Sequence, residues 1–367
     1  MGKWEVLDFE EVILDDTKNA TKIKKEDYLE QGLYPIIDQG QNLIAGYRNN
    51  HDGLYSNVPV IVFGDHTRII KYIDTPFFLG ADGVKLLKSK RENLDYKYLY
   101  YYFINKQIPN TGYNRHFKWL KKLVIPIPPL ETQKEIAKTL DTAAELLALR
   151  KQQLAELDNL IKSIFCDMFG DPITNEKGWE VDIVDNVCAR IIGGGTPAKS
   201  RSEYYIGNIP WVTPKDMKTI WINDSIDHIN EYAIENSSTK LIPSYSVLMV
   251  IRSGILKKML PVAINTVDIA INQDMKAFVT NENVLPEYLL YFFILMQGSI
   301  IKNVRAVTAD NIEFSLIKNL RIPIAPLALQ NQFATIVTKI EEQKALVKKA
   351  IDETQYLFDS LMSEYFD

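Results

Sequence analysis

The chain has 367 residues, 46% hydrophobic and 24% charged, with 42 basic against 47 acidic side chains and a formal net charge of −5. That length holds two or more domains with separate cores, and the ordinary composition excludes a disordered or low-complexity chain. It also excludes nucleic-acid binding driven by whole-chain charge: any such surface has to come from local basic loops or from partner subunits.

The opening Met1-Gly2-Lys3-Trp4-Glu5 has no apolar signal region, and no run approaches the roughly 18–20 apolar residues of a membrane span. The two cysteines, Cys166 and Cys188, lack metal-ligand spacing. They are expected to be buried small hydrophobes in a reducing cytosol. The first globule carries β-rich runs at Val58-Pro59-Val60-Ile61-Val62-Phe63 and Val84-Lys85-Leu86-Leu87, with turns at Asp52-Gly53 and Asp82-Gly83. An aromatic helix follows at Tyr96-Lys97-Tyr98-Leu99-Tyr100-Tyr101-Tyr102-Phe103. Then comes Leu123-Val124-Ile125-Pro126-Ile127-Pro128-Pro129-Leu130, leading into a long helical pattern. In it Ile136, Leu140, Ala143, Leu147, Leu154, Leu157, Ile161, Ile164 and Met168 recur in steps of four and three, interrupted at Arg150. Phe169-Gly170-Asp171-Pro172 ends the pattern, since Gly terminates a helix well and Pro cannot continue one.

The second half repeats the first. Trp179-Glu180-Val181 matches Trp4-Glu5-Val6, and Glu287-Tyr288-Leu289-Leu290-Tyr291-Phe292-Phe293 matches the aromatic helix. Ser246-Val247-Leu248-Met249-Val250-Ile251 and Met275-Lys276-Ala277-Phe278-Val279 are its β-rich runs. Leu320-Arg321-Ile322-Pro323-Ile324-Ala325-Pro326-Leu327 lies 197 residues after its counterpart, and the shift holds without a gap to Asp367, where the pattern ends with no tail. Phe333, Val337, Ile340, Val347, Ile351, Phe358, Leu361 and Tyr365 form the second seam, interrupted at Lys344 and Thr354. A period of 3.5 sustained this long predicts a coiled coil, each helix reaching roughly 55–60 Å. The expected fold is α+β: two similar mixed α/β globules joined and separated by two long antiparallel coiled-coil helices. The boundaries are 1–129, 130–170, 171–326 and 327–367.

Several motifs mislead. Gly193-Gly194-Gly195-Thr196-Pro197 lacks the Lys-Ser/Thr of a P-loop and the spacing of a dinucleotide fingerprint, and reads instead as a flexible loop whose backbone approaches a partner. Asn208-Ile209-Pro210-Trp211 lacks the second Pro of the amino-methyltransferase motif and reads as a strand-edge turn. The histidines His51, His66, His116 and His228 are scattered, and Asp171 with Glu176-Lys177 sits at a helix boundary, unsuited to nuclease chemistry. What remains are polar loop clusters. The first globule offers Gln39, Gln41, Tyr47, Arg48, Asn49, Arg115, His116 and Lys118; the second offers Thr196, Lys199, Arg201, Lys215, Arg252, Lys257, Lys258 and Gln273. Arg suits guanine, Asn and Gln suit adenine, and Lys suits phosphate. These are the candidate DNA-binding residues.

With these motifs in hand, the chain resembles the DNA-specificity subunits of type I restriction–modification enzymes. The resemblance rests on the two Trp-Glu-Val starts and on Tyr34-Pro35-Ile36-Ile37-Asp38-Gln39-Gly40-Gln41 through Ile44-Ala45-Gly46-Tyr47. It also rests on Gly193 to Pro197 followed by Ile209-Pro210-Trp211-Val212-Thr213-Pro214-Lys215-Asp216-Met217, and on the Pro-rich leads ending at Gln133 and Gln330. It implies that each globule is a target recognition domain reading half of a split, asymmetric double-stranded DNA site. The helices would be a ruler that docks two methyltransferase subunits, with restriction–translocase subunits joining that core. The chain itself would be cytoplasmic and non-catalytic, with no cofactor of its own: S-adenosylmethionine, ATP and magnesium would belong to its partners. Two other readings compete, a coiled-coil adaptor that never touches DNA and an enzyme with an unfamiliar site.

Overall fold

The computed structural model describes residues 4–80, 83–307 and 311–367. Met1-Gly2-Lys3 and the Asp82 half of the expected Asp82-Gly83 turn lie outside them. The fold is mixed α/β and divides into two compact units, residues 1–151 with 349–367 and residues 152–348.

In the first unit an antiparallel sheet has the strand order Ile13–Asp15, Val84–Ser89, Val60–Gly64, Ile70–Ile73. Its strand Val60–Gly64 is buried throughout, as an unbroken apolar run requires when both faces are covered. Ile61 and Phe63 enter a core with the aromatic helix Tyr96–Asn105. Val60 and Val62 enter a second core with Ile37 and Leu79, from the small sheet Gly46–Arg48, Tyr34–Ile37, Phe78–Leu79. Asp95 caps the aromatic helix by accepting from the Tyr98 amide at 2.8 Å. The start of the chain, Glu5–Asp8, pairs antiparallel with the Pro-rich strand Val124–Ile127, Glu5 opposite Ile127. Tyr98 donates its hydroxyl to the Pro126 carbonyl at 3.0 Å.

The first long helix, Leu130–Phe169, starts on this frame. Gln133 is 0% exposed. Its Oε1 accepts from the Asp95 amide at 2.8 Å, and its Nε2 donates to the carbonyls of Asn93 at 3.1 Å and Pro128 at 2.7 Å. One carboxamide thus ties the helix to the aromatic helix and to the Pro-rich strand. Ile136 and Leu140 share the core with Met362 and Phe366, near the end of the second long helix, Leu327–Phe366. Arg150, an interruption of the apolar seam, donates to the Ala350 carbonyl and to the Thr354 hydroxyl, itself an interruption of the other seam.

The second unit is built on the same plan. A sheet runs in the order Cys188–Gly193, Met275–Thr280, Val247–Val250, Val262–Asn265, Trp221–Ile222. Val247 and Met249 enter one core, and Leu248 and Val250 the other. Glu180–Ile183 pairs with Arg321–Ile324, Glu180 opposite Ile324, and Tyr288 of the helix Pro286–Val307 donates to the Pro323 carbonyl at 2.7 Å. Gln330 repeats Gln133: 0% exposed, it accepts from the Leu285 amide at 2.8 Å and donates to Asn283 at 3.0 Å and Ala325 at 2.7 Å. Ile161, Phe165 and Phe169 pack with Phe333, Val337 and Ile340. Lys344 is 5% exposed, its ammonium 2.6 Å from both the Asp158 and Glu341 carboxylates. Burial pulls its pKa down, but the two carboxylates outweigh that and hold it above the ordinary lysine value. Gly170 ends the first long helix with φ of +81°, the left-handed cap expected of it.

Two sequence readings are corrected. Ile209–Val212 is an interior strand of a four-stranded sheet, not a strand-edge turn. Pro210 is tolerated because the strand changes sides: Ile209 and Pro210 pair with Ile229 and His228, while Trp211 and Val212 pair in parallel with Ala270 and Ile271. The cysteines are free and only half-buried. Burial, and then Asp185, push the Cys188 thiol up to about 12, so it is no thiolate nucleophile.

Replacing either clamp by an apolar side chain of similar length, Gln133→Met or Gln330→Met, should cost about 2–4 kcal/mol, because buried amide and carbonyl groups lose their partners. Urea unfolding of the two variants measures this. Losses below about 0.5 kcal/mol in both would remove the clamp from the account.

Candidate nucleic-acid interface

In the first unit three loops meet beyond the end of the strand Val60–Gly64. Gln39 Oε1 accepts from the His66 amide at 3.2 Å, and the Gln39 carbonyl accepts from the Thr67 hydroxyl at 2.7 Å. Beneath this turn the buried Lys71 ammonium donates to the Asp38 carbonyl at 2.8 Å and to the Asn42 carbonyl. His66 Nδ1 lies 3.2 Å from the Asn114 carbonyl, and its ring stacks on Tyr113 at 4.8 Å and 8°. Tyr113 is 89% exposed, and Arg115 and Gln41 are exposed beside their loops. The exposed Lys118 lies over the Trp119 ring at 5.8 Å.

His116 does not belong on that surface. It is 0% exposed, with Nδ1 3.0 Å from the Asp65 carbonyl and Nε2 accepting from the Thr111 amide at 3.3 Å. That pair of bonds fits the Nδ1–H tautomer and makes His116 a buried latch, so its expected contact with bases is corrected. Tyr47, Arg48 and Asn49 fall elsewhere. Arg48 pairs with Tyr34 at the far end of the hairpin and covers the Phe78 ring at 5.2 Å. Asn49 accepts from the Leu33 amide at 3.0 Å. The four-residue strand Tyr34–Ile37 separates that end from the Gln39 turn, roughly 13 Å.

In the second unit the Thr196 hydroxyl donates to the exposed Gln273. Arg252 Nε donates to Asn311 Oδ1 at 3.2 Å, and its Nη1 is 3.8 Å from the Asp274 carboxylate. Arg201 covers Tyr204 at 5.5 Å. Lys215 is paired with Asp227 at 2.6 Å, which raises its pKa. Thr213 and Asp216 close the turn that carries it. Lys199, Lys257 and Lys258 are exposed. The Gly193–Gly195 segment makes the close backbone approach expected of it, but not to a partner. A Cβ on Gly194 would lie 1.8 Å from the Asn272 carbonyl oxygen, and one on Gly195 2.6 Å from the Ser238 carbonyl carbon. The close approach is to the chain itself, and it props the Gln273 turn.

Sequence reasoning passed over His66, Lys71 and Asn311, whose partners are distant along the chain. Among the described residues no group of three or more His, Cys, Asp or Glu could hold a metal, and no helix is long and apolar enough to cross a membrane.

Comparison with known proteins identifies the class. Residues 1–159 and 176–355 match the family described as the type I restriction modification DNA specificity domain. The chain is 33% identical over 337 residues to the type I restriction enzyme EcoR124I/EcoR124II specificity subunit of Escherichia coli, covering 87% of this chain and 82% of that one. The MjaIX specificity subunit of Methanocaldococcus jannaschii is 26% identical over 195 residues, 52% of this chain and 44% of the relative. The crystal structure of a type I restriction–modification S subunit from M. genitalium superposes with a TM-score of 0.64 at 16% identity, covering 100% of this chain and 96% of that one. A chain from a structural study of complex assembly and conformational transition in a type I system gives 0.58 at 16% identity, covering 100% and 98%. The structural likenesses support the fold. The family match and the Escherichia coli relative support membership: the chain belongs to the type I restriction–modification DNA specificity family. It is a specificity subunit, not a catalytic one, and the adaptor reading has no support.

Gly194→Ala should destabilise the second unit by about 1–3 kcal/mol through overpacking against Asn272. Gly298→Ala, in a helix with open space around the new methyl, should be neutral or stabilising by up to about 1 kcal/mol. Thermal unfolding of the pair checks the contrast, and equal effects would contradict the packing at Gly194.

Proposed function

We propose that this subunit reads a bipartite, asymmetric double-stranded DNA site, one half with residues 1–129 and the other with residues 171–326. The observation that carries the reading is the same frame built twice under different exposed loops. Clamps at Gln133 and Gln330 repeat bond for bond, while the loops carry Gln39, Gln41 and Arg115 in one module and Thr196, Arg252 and Gln273 in the other. Lys199, Arg201, Lys257 and Lys258, with Lys118, Arg48, Asn49 and Tyr47, would supply phosphate and flanking contacts. Lys215 would have to leave Asp227 to join them.

Residues 130–170 and 327–367 would form an antiparallel coiled coil that spaces the two recognition domains and docks two methyltransferase subunits. Restriction–translocase subunits would join through that core. Supporting this, the early residues of each helix pack with the late residues of the other within each unit. The polar interruptions are also paired, Arg150 with Thr354 and Lys344 with Asp158, which suits a defined register. The acidic balance of the chain fits partners that bring their own phosphate contacts. S-adenosylmethionine, ATP and magnesium would be theirs, as would base flipping for methylation. The assembly would work in the cytoplasm.

Inserting four residues near Leu147 and four near Lys344 adds roughly 6 Å of helix. The methylated site should keep both half-sites and gain about 1–2 base pairs of gap, read by methylome sequencing of cells carrying the complex; altered half-sites would contradict the ruler. Truncation after Gly170 removes Met362 and Phe366 from the first module's core. Phe165 and Phe169 are their equivalents at the 197-residue shift, so a second copy can replace them. The half-subunit should dimerise and direct methylation of a symmetric site. Methylation of the original asymmetric site by that half would end the two-module reading.

A further inference from the structure

The modules share more backbone than their sequences reveal. In the first, the Asp65 amide donates to the Gly83 carbonyl at 2.6 Å, and the Asp65 carbonyl accepts from the His116 amide at 2.8 Å. In the second, the Ile251 amide donates to the Asp274 carbonyl at 2.8 Å, and the Ile251 carbonyl accepts from the Ile312 amide at 2.8 Å. Strand register agrees, with Gly64 opposite Val84 and Val250 opposite Met275. Asp65 is therefore equivalent to Ile251, and His116 to Ile312. One step further out lie His66 and Arg252; one step before the latch lie Arg115 and Asn311. The same two outward positions carry His and Arg in one module, Arg and Asn in the other.

One member of the first pair and both of the second are held in place. The half-buried His66 is held by Gln39, Asn114 and the stacked Tyr113; Arg252 is held by Asn311 and faces Asp274, while Arg115 stands exposed beside the latch. Shared backbone carrying divergent polar groups, with a braced member in each pair, is what a reading position needs, because a preorganised side chain loses less freedom on binding. We propose that these equivalent pairs, His66 with Arg115 and Arg252 with Asn311, are the specificity-determining residues of the two half-sites. Each arginine selects a guanine through O6 and N7. Asp274 is a positioning residue that aims the Arg252 fork. The inference rests on the bipartite reading and assigns the position within it.

The test uses the full chain with its methyltransferase, and reads the methylated motif by sequencing genomic DNA. Arg252→Ala should lower discrimination at one base pair of the second module's half-site by roughly 10- to 100-fold and leave the other half-site unchanged. Arg115→Ala should do the converse. Arg252→Gln, which keeps a donor toward Asn311, should shift that base pair toward adenine and covers the case in which the alanine variant misfolds. Lys218→Ala, an exposed charge outside the position, should keep the wild-type motif. Wild-type motif and discrimination in both arginine variants would overturn the assignment, as would a change in both half-sites from one substitution. A wild-type complex that methylates no bipartite site would instead sink the underlying reading.

Discussion

A buried carboxamide sets the geometry of each module. Gln133 and Gln330 sit in the first turn of the two long helices, where backbone groups lack partners within the helix. Each side chain spends its oxygen on the amide ahead of the aromatic helix and its nitrogen on two carbonyls, one of them in the Pro-rich lead. Away from water, none of these groups can be left unpaired cheaply. The direction in which each long helix leaves its own module is therefore held by three hydrogen bonds that have to be made together. Leucine in place of glutamine would fill the space and specify nothing.

From that clamp the rest of each module follows. The aromatic helix covers one face of the main sheet, and a smaller sheet covers the other. The strands Val60–Gly64 and Val247–Val250 must therefore be apolar on both sides. Cores on both faces leave the ends of the strands as the place where polar loops can converge, and the candidates Gln39 and Arg115 in one module and Arg252 and Gln273 in the other stand there. The loops are braced from below: Lys71 under the Gln39 turn, the His116 latch beside Asp65, and the packed glycines under Gln273. Under the proposed reading, recognition side chains would be carried on these supports, so that their chemistry could change while the backbone stays.

Much of this was legible in the residues. The apolar period falls within the two long helices, Leu130–Phe169 and Leu327–Phe366, because a helix writes its buried face into nearby positions. The seam interruptions looked like defects in one strand of text; only the partner helix shows Arg150 reaching Thr354 and Lys344 reaching Asp158. The polar clusters were visible as composition, but their sorting was not. His116 looked like its neighbour Arg115 and is a core residue, while His66 looked incidental and stacks on the most exposed tyrosine of its loop.

The sequence by itself determined what local periodicity and repetition can encode: two long helices with their Pro-rich leads and the Gly170 cap, two related globules, and the family. Tertiary structure alone decided which polar residues support and which present themselves. Those roles come from contacts across distances such as the 48 residues between His66 and Asn114 or the 59 between Arg252 and Asn311. Burial and hydrogen-bond partnership are properties of where distant segments meet, and no window of neighbouring residues contains them.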